Sequence, residues 1–285
     1  MKRGLVLSGG AAWGLANIGV LRVFEREGFR FDCIAGSSMG AIIAGAYALG
    51  IPVSVLTETA AKISLLTVAR LAQSPFAQGF HSGLLRQELE AILAPTIGGA
   101  LIGDAKIPFV CIAGKVVKPV SWERIMQQGF SDHFTECIVP YVFPPETTMI
   151  DALLASSAIP VVFAPVRVGS DDFVDLVHFG AIPARQLREL HGPDVIIGTD
   201  TNPRYGFLRR VLPNPWKEFI ERGQQEIEAD REACNLVITP RMPAPLFRFD
   251  RANDFIASGL AAAEKRIPEL RDILDLGHES QGASV

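Results

Sequence analysis

The first fifty residues contain the same short pattern twice, and this repetition limits the fold more than any other feature of the sequence. An apolar run at residues 4–7 enters a glycine-rich turn, and helical periodicity follows over residues 15–27. A second apolar run at residues 32–35 enters another glycine turn, and a helix of small residues follows over 41–49. Strands and helices that alternate at this spacing predict a parallel sheet with helical crossovers.

The rest of the chain extends this pattern. Apolar runs at residues 107–113, 194–200 and 236–239 predict further buried strands. Charged helical periodicity covers 216–234, and a last helix over 254–276 contains Pro268, which predicts a kink or a split. We therefore predict one α/β domain over residues 1–285, a three-layer α/β/α sandwich with a mainly parallel sheet. Residues 54–105 are a candidate helical cap or lid, and 277–285 are expected to fray.

Composition excludes several classes of protein. The chain has 285 residues, 48% of them apolar and 20% charged, which rules out a disordered segment. The 27 basic and 31 acidic side chains give a net charge of −4, so we expect no nucleic-acid partner. Four cysteines without a C-x-x-C pair predict a reduced, cytoplasmic protein. The five scattered histidines predict no metal site, and we expect no cofactor.

Two features resemble membrane signals but have another interpretation. The basic N-terminus precedes an apolar run of only four residues, too short for a cleaved signal peptide. Residues 33–57 carry no charge for 25 positions, long enough to span a bilayer. That stretch holds several glycines and a proline, so we interpret it as strand, turn, helix and stop. Any membrane contact is therefore expected to be peripheral.

The sequence Gly36-Ser37-Ser38-Met39-Gly40 has the form of a nucleophile elbow, where a sharp strand-to-helix turn exposes a serine hydroxyl. Glycine at both flanks avoids clashes that a β-carbon would cause in the tight turn. The five-residue pattern is weak by itself. Its place between a predicted strand and a predicted helix strengthens it, and makes Ser38 the candidate nucleophile.

A second glycine turn can supply an oxyanion hole for this nucleophile. Residues 8–14 also follow a predicted strand and precede a helix, so their amides can converge with that of the elbow. The predicted donors are the amides of Gly9, Gly10, Ala11 and Met39. The same loop lacks both the G-x-G-x-x-G pattern and a Walker lysine, which argues against a phosphate cradle.

Several residues are candidates for the general base that would accept the proton of the Ser38 hydroxyl. His178, His191 and His278 lie downstream of the serine, as in an α/β-hydrolase triad. However, a serine at position 38 leaves no room for the strands that precede the elbow in that fold. Asp151, Asp171, Asp172 and Asp175 are also candidates.

Three ordered motifs resemble the patatin-like phospholipase family. GLVLSGGAAWGLANIGVL is similar to its glycine-rich segment, DCIAGSSMGAIIAGAYALG to its elbow, and DALLASSAIPVVFAPV to the segment leading to its catalytic aspartate. In FVDLVHFGAIP, Asp175 has the spacing to Pro183 found in the family's D-G-G/A motif. The resemblance implies a Ser38–Asp175 dyad that acts without a histidine.

Three positions depart from the family pattern. Its third glycine is Ala11, its Arg or Lys two residues later is Trp13, and its small residues after the aspartate are Leu176 and Val177. Loss of the basic side chain removes a contact for a phosphate headgroup. A free aspartate has a pKa about 3 units below pH 7, which costs a general base roughly 4 kcal/mol. We expect burial beside Leu176, Val177 and Phe179 to raise that pKa.

The resemblance implies a serine hydrolase of lipid or small acyl esters that works through an acyl-enzyme. Two alternatives remain open at this point. The altered aspartate turn is compatible with a non-catalytic lipid-binding or regulatory module. The same dyad is also compatible with acyl transfer to an acceptor other than water.

Overall fold

The structure is a computed structural model that describes residues 1–71, 82–120, 131–160, 163–204 and 214–279. Its described strands form one sheet of eight. They are β1 (Arg3–Leu7), β2 (Cys33–Gly36), β3 (Phe109–Val116), β4 (Ile138–Val142), β5 (Val166–Val168), β6 (Asp171–Val174), β7 (Val195–Thr199) and β8 (Leu236–Ile238).

The described α-helices connect or cover these strands. They are α1 (Ala16–Glu27), α2 (Met39–Ala48), α3 (Val53–Leu71), α4 (Ser82–Ile97), α5 (Ser131–Cys137), α6 (Met149–Ser156), α7 (Ala184–His191), α8 (Asn214–Glu232), α9 (Ala252–Glu264) and α10 (Ile267–Glu279). Short 3₁₀ turns include Ala11–Leu15, Val177–Gly180 and Phe249–Arg251.

The sheet has a parallel centre and an antiparallel edge. Its order is β5-β6-β3-β2-β1-β7-β8, and β4 also pairs with β3. The adjacent strands β3-β2-β1-β7-β8 pair in parallel. Strands β4, β5 and β6 are joined by antiparallel pairing. The prediction of a mainly parallel α/β sheet is confirmed. The antiparallel edge, which the sequence analysis did not predict, leads directly into Asp175.

Both faces of the sheet are covered by helices, because successive side chains of a strand point to opposite sides. In β1, Leu5 and Leu7 join one apolar core with side chains from α1, α2, α6 and α9. Val6 of the same strand joins a second core with side chains from α5, α7 and α8. This is the three-layer α/β/α arrangement expected from the sequence.

The last predicted helix is split, as Pro268 suggested. α9 ends at Glu264, and α10 begins at Ile267, so the proline occupies the second position of the new helix, where its missing amide is tolerated. α9 lies directly against α1. A β-carbon at Gly19 would fall 1.9 Å from the Ile256 carbonyl oxygen, and one at Gly259 would fall 1.8 Å from that of Ala16. These two glycines let the helix backbones touch.

Some predictions fall partly outside the described residues. The candidate cap at 54–105 contains the helices α3 and α4 and an irregular segment after residue 97, and its residues 72–81 lie outside the described residues. Of the C-terminal residues expected to fray, 277–279 belong to α10, and 280–285 lie outside the described residues. None of the described helices is both long and apolar enough to cross a bilayer. The four cysteines, all among the described residues, form no disulfide bond.

Candidate active site

Ser38 occupies the turn between β2 and α2, with a backbone conformation that few non-glycine residues adopt. Its φ is 54° and its ψ is −129°. Such a conformation costs about 1–3 kcal/mol and persists only when the surroundings enforce it. A β-carbon at Gly36 would lie 2.6 Å from Cα of Ala41, and one at Gly40 would lie 2.2 Å from the Leu7 carbonyl oxygen. Both flanks of the elbow therefore require glycine on steric grounds.

Asp175 follows β6 and is 3% exposed. Its amide donates to the Ala158 carbonyl at 2.9 Å, and its Oδ1 accepts the Val177 amide at 2.7 Å. Burial raises the pKa of its carboxyl group to about 6, although hydrogen bonds from the Ser38 hydroxyl and the Val177 amide act in the opposite direction. The two residues of the predicted dyad, 137 positions apart in sequence, thus lie close together in the fold.

The end of α6 holds the backbone of both residues. Ser156 Oγ accepts the Ser38 amide at 2.9 Å, and Ala158 O accepts the Asp175 amide. Ser156 is 1% exposed, so this bond is shielded from water. Ser156 was not among the site residues predicted from the sequence. It lies in the DALLASSAIPVVFAPV segment, which carries part of the family resemblance and could have pointed to it.

The first glycine turn lies against the elbow, and its amides differ in availability. The Gly9 amide already donates to the Ala181 carbonyl at 3.1 Å. The amides of Gly10, Ala11 and Met39 have no acceptor among the described residues. Gly9 instead allows the glycine turn to pass close to Ser38, since a β-carbon at Gly9 would lie 3.0 Å from Ser38 Cβ. Of the four predicted oxyanion donors, three therefore have an amide without an acceptor in the described part of the chain, and two of these, Gly10 and Ala11, line the cavity described below.

Strand β7 fixes this turn through a buried polar network. Ser8 Oγ accepts the Thr201 amide at 2.8 Å and lies 3.0 Å from Thr201 Oγ1. The Ser8 amide donates to Thr199 Oγ1 at 3.0 Å, and Asn17 Nδ2 donates to the Ser8 carbonyl at 3.0 Å. Buried hydrogen bonds of this kind rigidify their surroundings, although Asn17 Oδ1 has no partner among the described residues. The turn is therefore held in place before any substrate binds.

A cavity of about 270 Å³ opens above Ser38 and Asp175. Its other lining residues come from the glycine turn, from the segment after α6, from the turn after Asp175, and from two loops near the C-terminal half: Gly9, Gly10, Ala11, Ile159, Val177, His178, Asn202, Pro203, Leu246 and Phe247. The last four were not predicted. They come together only in the folded chain, and nothing in their local sequence marks them.

His178 and His191 are weaker candidates for the general base than Asp175. His178 lines the cavity, but burial lowers its pKa to about 4, so it is a weak proton acceptor. His191 ends α7, and burial and the charge of Lys2 lower its pKa. The side chain of His278 lies outside those described.

The rival aspartates have other partners. Asp171 pairs with Lys115 at 2.7 Å, and Asp172 pairs with Arg167 at 2.6 Å. Asp151 accepts the Thr148 hydroxyl in the first turn of α6, where a carboxylate is favoured by the helix dipole. Asp175 is the aspartate that the fold brings to Ser38.

The turn after Asp175 accommodates the two bulky residues at a cost. Leu176 is buried in the second core. Val177 has a φ of 53°, which is rare for a β-branched residue, and its amide is the one that donates to Asp175. Glycine would adopt this backbone without strain. This chain places a strained valine there instead.

No group of three potential metal ligands occurs among the described residues. A model of the patatin-like phospholipase family matches residues 5–175, from β1 to the aspartate of the dyad. The chain belongs to this family. The match includes both glycine turns and Ser156, whereas the cavity residues from Val177 onwards lie beyond it.

Named relatives agree with this assignment. An uncharacterized NTE family protein of Mycobacterium tuberculosis is 28% identical over 221 residues, which cover 76% of this chain and 54% of that protein. The chain thus spans about half the length of such relatives. A lysophospholipase nte1 of Neurospora crassa is 49% identical over 45 residues, 16% of this chain and 3% of that protein.

Solved structures of similar shape include the human GIVD cytosolic phospholipase A2. It has a TM-score of 0.48 at 12% identity, and covers 86% of this chain and 47% of that one. VipD of Legionella pneumophila has a TM-score of 0.44 at 14% identity, over 93% of this chain and 67% of that one.

Proposed function

We propose that this patatin-like chain is a serine hydrolase of carboxylic esters in lipids or small acyl compounds, with Ser38 as nucleophile and Asp175 as base. The observation that carries the proposal is that the buried Asp175 carboxyl lies beside Ser38 in one cavity, which is also lined by Gly10 and Ala11, whose amides have no acceptor among the described residues. Family membership supports lipid acyl hydrolysis as the general class of activity.

The raised pKa of Asp175 suits a general base better than that of a free aspartate. A pKa of about 6 leaves the carboxylate mostly ionised at pH 7, so it can accept a proton. The gap between its pKa and pH 7 falls from about 3 units to about 1, and each unit is worth 1.36 kcal/mol of proton-transfer free energy. Burial therefore makes Asp175 a stronger base without a histidine.

In the proposed reaction, Ser38 Oγ transfers its proton to Asp175 and forms a bond to the ester carbonyl carbon. The amides of Gly10, Ala11 and Met39 donate to the oxyanion that develops. The ester C–O bond then breaks, and the leaving alcohol takes the proton from Asp175. Water, deprotonated by the same carboxylate, attacks the acyl-enzyme and releases the acid and free Ser38.

A fluorophosphonate probe and a p-nitrophenyl ester test the proposal. We expect the probe to label Ser38, and Ser38→Ala to abolish both labelling and turnover. Asp175→Asn is expected to lower kcat at least about 1000-fold while the protein stays folded. Asp171→Asn is the matched control and should retain activity, because that carboxylate pairs with Lys115 away from the cavity. Labelling that persists in Ser38→Ala would refute the proposal.

A further inference from the structure

The cavity has a wall made by residues far from the elbow in sequence. Residues 242–247, called here the C-terminal wall, lie between β8 and α9, and Leu246 and Phe247 face the cavity that contains Ser38. The wall is outside the region matched by the family model, which ends at residue 175. It is therefore a part of the site that the motifs do not specify.

Two hydrogen bonds join this wall to the glycine turn beside the nucleophile. The Ala12 amide donates to the Leu246 carbonyl at 3.1 Å, and Trp13 Nε1 donates to the Ala244 carbonyl at 2.8 Å. The described wall residues have no regular secondary structure, so these bonds fix its position in place of a helix or sheet ladder. Ala244 and Trp13 also pack against the main core.

The wall presents apolar side chains at the opening of the site. Phe247 is 51% exposed although it borders a cavity, and Leu246 beside it is half-buried. The neighbouring Arg248 binds Asp250 through two hydrogen bonds of 2.6 and 2.7 Å, so its charge is already compensated. An apolar surface without a free cation suits a hydrocarbon chain better than an anionic headgroup.

We infer that the C-terminal wall binds the acyl chain of the substrate, and that Trp13 is the residue that positions it. This inference rests on the proposed function, since it assigns the acyl side of the same cavity. Trp13 stands where the family carries a basic residue, and its indole N–H holds the wall instead. Substrates with acyl chains long enough to reach Phe247 bind more tightly through apolar contact with its ring, whereas short esters do not.

The test compares p-nitrophenyl acetate and octanoate, each below its micellar concentration. An acyl chain that covers the exposed half of the Phe247 ring is expected to raise kcat/KM about fivefold. Phe247→Ala is therefore expected to lower the octanoate-to-acetate ratio of kcat/KM about fivefold. Leu190→Ala is the matched control, because Leu190 is 54% exposed on α7, outside the cavity. It should leave the ratio within twofold of the unmodified protein.

Trp13→Phe keeps an aromatic ring and deletes the indole donor. We expect it to lower the same ratio about two- to threefold, mainly through KM for octanoate. The double variant with Phe247→Ala should lose no more than Phe247→Ala alone, because both changes act through one wall. A general loss of stability would instead reduce both esters equally.

Two results would overturn the inference. One is an unchanged ratio in Phe247→Ala. The other is an effect seen only with phosphatidylcholine vesicles and not with monomeric esters, which would make Phe247 a membrane contact. Binding of dansyl-undecanoic acid to Ser38→Ala protein separates the two proposals, since it needs no turnover. Another result is that the unmodified protein hydrolyses neither ester, while Phe247→Ala in the Ser38→Ala protein still weakens dansyl-undecanoic acid binding about fivefold. That result would refute the hydrolase proposal and support the role of the C-terminal wall in binding the acyl chain.

Discussion

Asp175→Asn is expected to make the protein more stable at neutral pH while it removes activity. The reference pKa of the carboxyl is 3.8, and burial raises it to about 6 in the folded protein. Below pH 3.8 the group is protonated in both states and contributes nothing. Between these values the folded state holds a proton that the unfolded chain has released, so stability falls as the pH rises through this window.

Above pH 6 both states are ionised, and the full cost of the buried charge is present. The two pKa values differ by about 2, and at 1.36 kcal/mol for each pH unit this amounts to about 3 kcal/mol of unfolding free energy. Asparagine is neutral at every pH and can still accept the Val177 amide. For a chain of this size, about 3 kcal/mol corresponds to a Tm increase of roughly 5 °C at pH 7.5. At pH 4 we expect a difference close to zero.

The assay is thermal unfolding of the unmodified protein and Asp175→Asn from pH 4 to pH 8, beside kcat/KM of the unmodified enzyme. Activity should rise with an apparent pKa of about 6, while the stability gap between the two proteins widens over the same range. Asp171→Asn is the matched control, because its carboxylate is partly exposed and no comparable burial penalty is removed. A variant that is less stable at pH 7.5, or equally stabilised at pH 4 and pH 7.5, would refute the reasoning.

Three further predictions concern the frame of the site. Ser156→Ala leaves the buried Ser38 amide without an acceptor, which should lower the free energy of unfolding by about 1–3 kcal/mol. We expect a lower Tm and slower fluorophosphonate labelling. An unaltered labelling rate would contradict a positioning role for Ser156. Val177→Gly relieves the strained φ of 53°, so urea unfolding should show a smaller loss than Val168→Gly, where a half-buried valine sits in a regular strand. Gly259→Ala pushes α9 away from α1 and should cost about 3 kcal/mol or more, whereas Gly99→Ala, with open space around it, should be neutral by calorimetry.

Much of the site was predictable because its chemistry depends on local geometry. The elbow needs glycine at positions 36 and 40 wherever a strand turns sharply into a helix, and this requirement is written in five consecutive residues. The split of the last helix follows from Pro268 in the same way. The pairing of Ser38 with Asp175 was implied by resemblance to the family, and the fold supplies the contact between them.

The antiparallel edge was not predictable, because β6 joins the sheet by pairing with β3, a strand more than fifty residues away, whereas β5 and β6 pair locally. The same holds for Ser156, whose hydrogen bond to the Ser38 amide joins residues 118 positions apart. It holds also for the C-terminal wall, which reaches the glycine turn across more than 230 positions. No periodicity or motif encodes such distances.

The sequence by itself determined where the chain turns, which strands are buried, and which serine lies at the strand-to-helix turn, because these depend on steric limits and side-chain polarity within a few residues. Tertiary structure decided which carboxyl group lies beside that serine, how far burial raises its pKa, and which side chains line the cavity. The pKa of Asp175 depends on the burial of its carboxyl group, and burial exists only once distant segments have packed together.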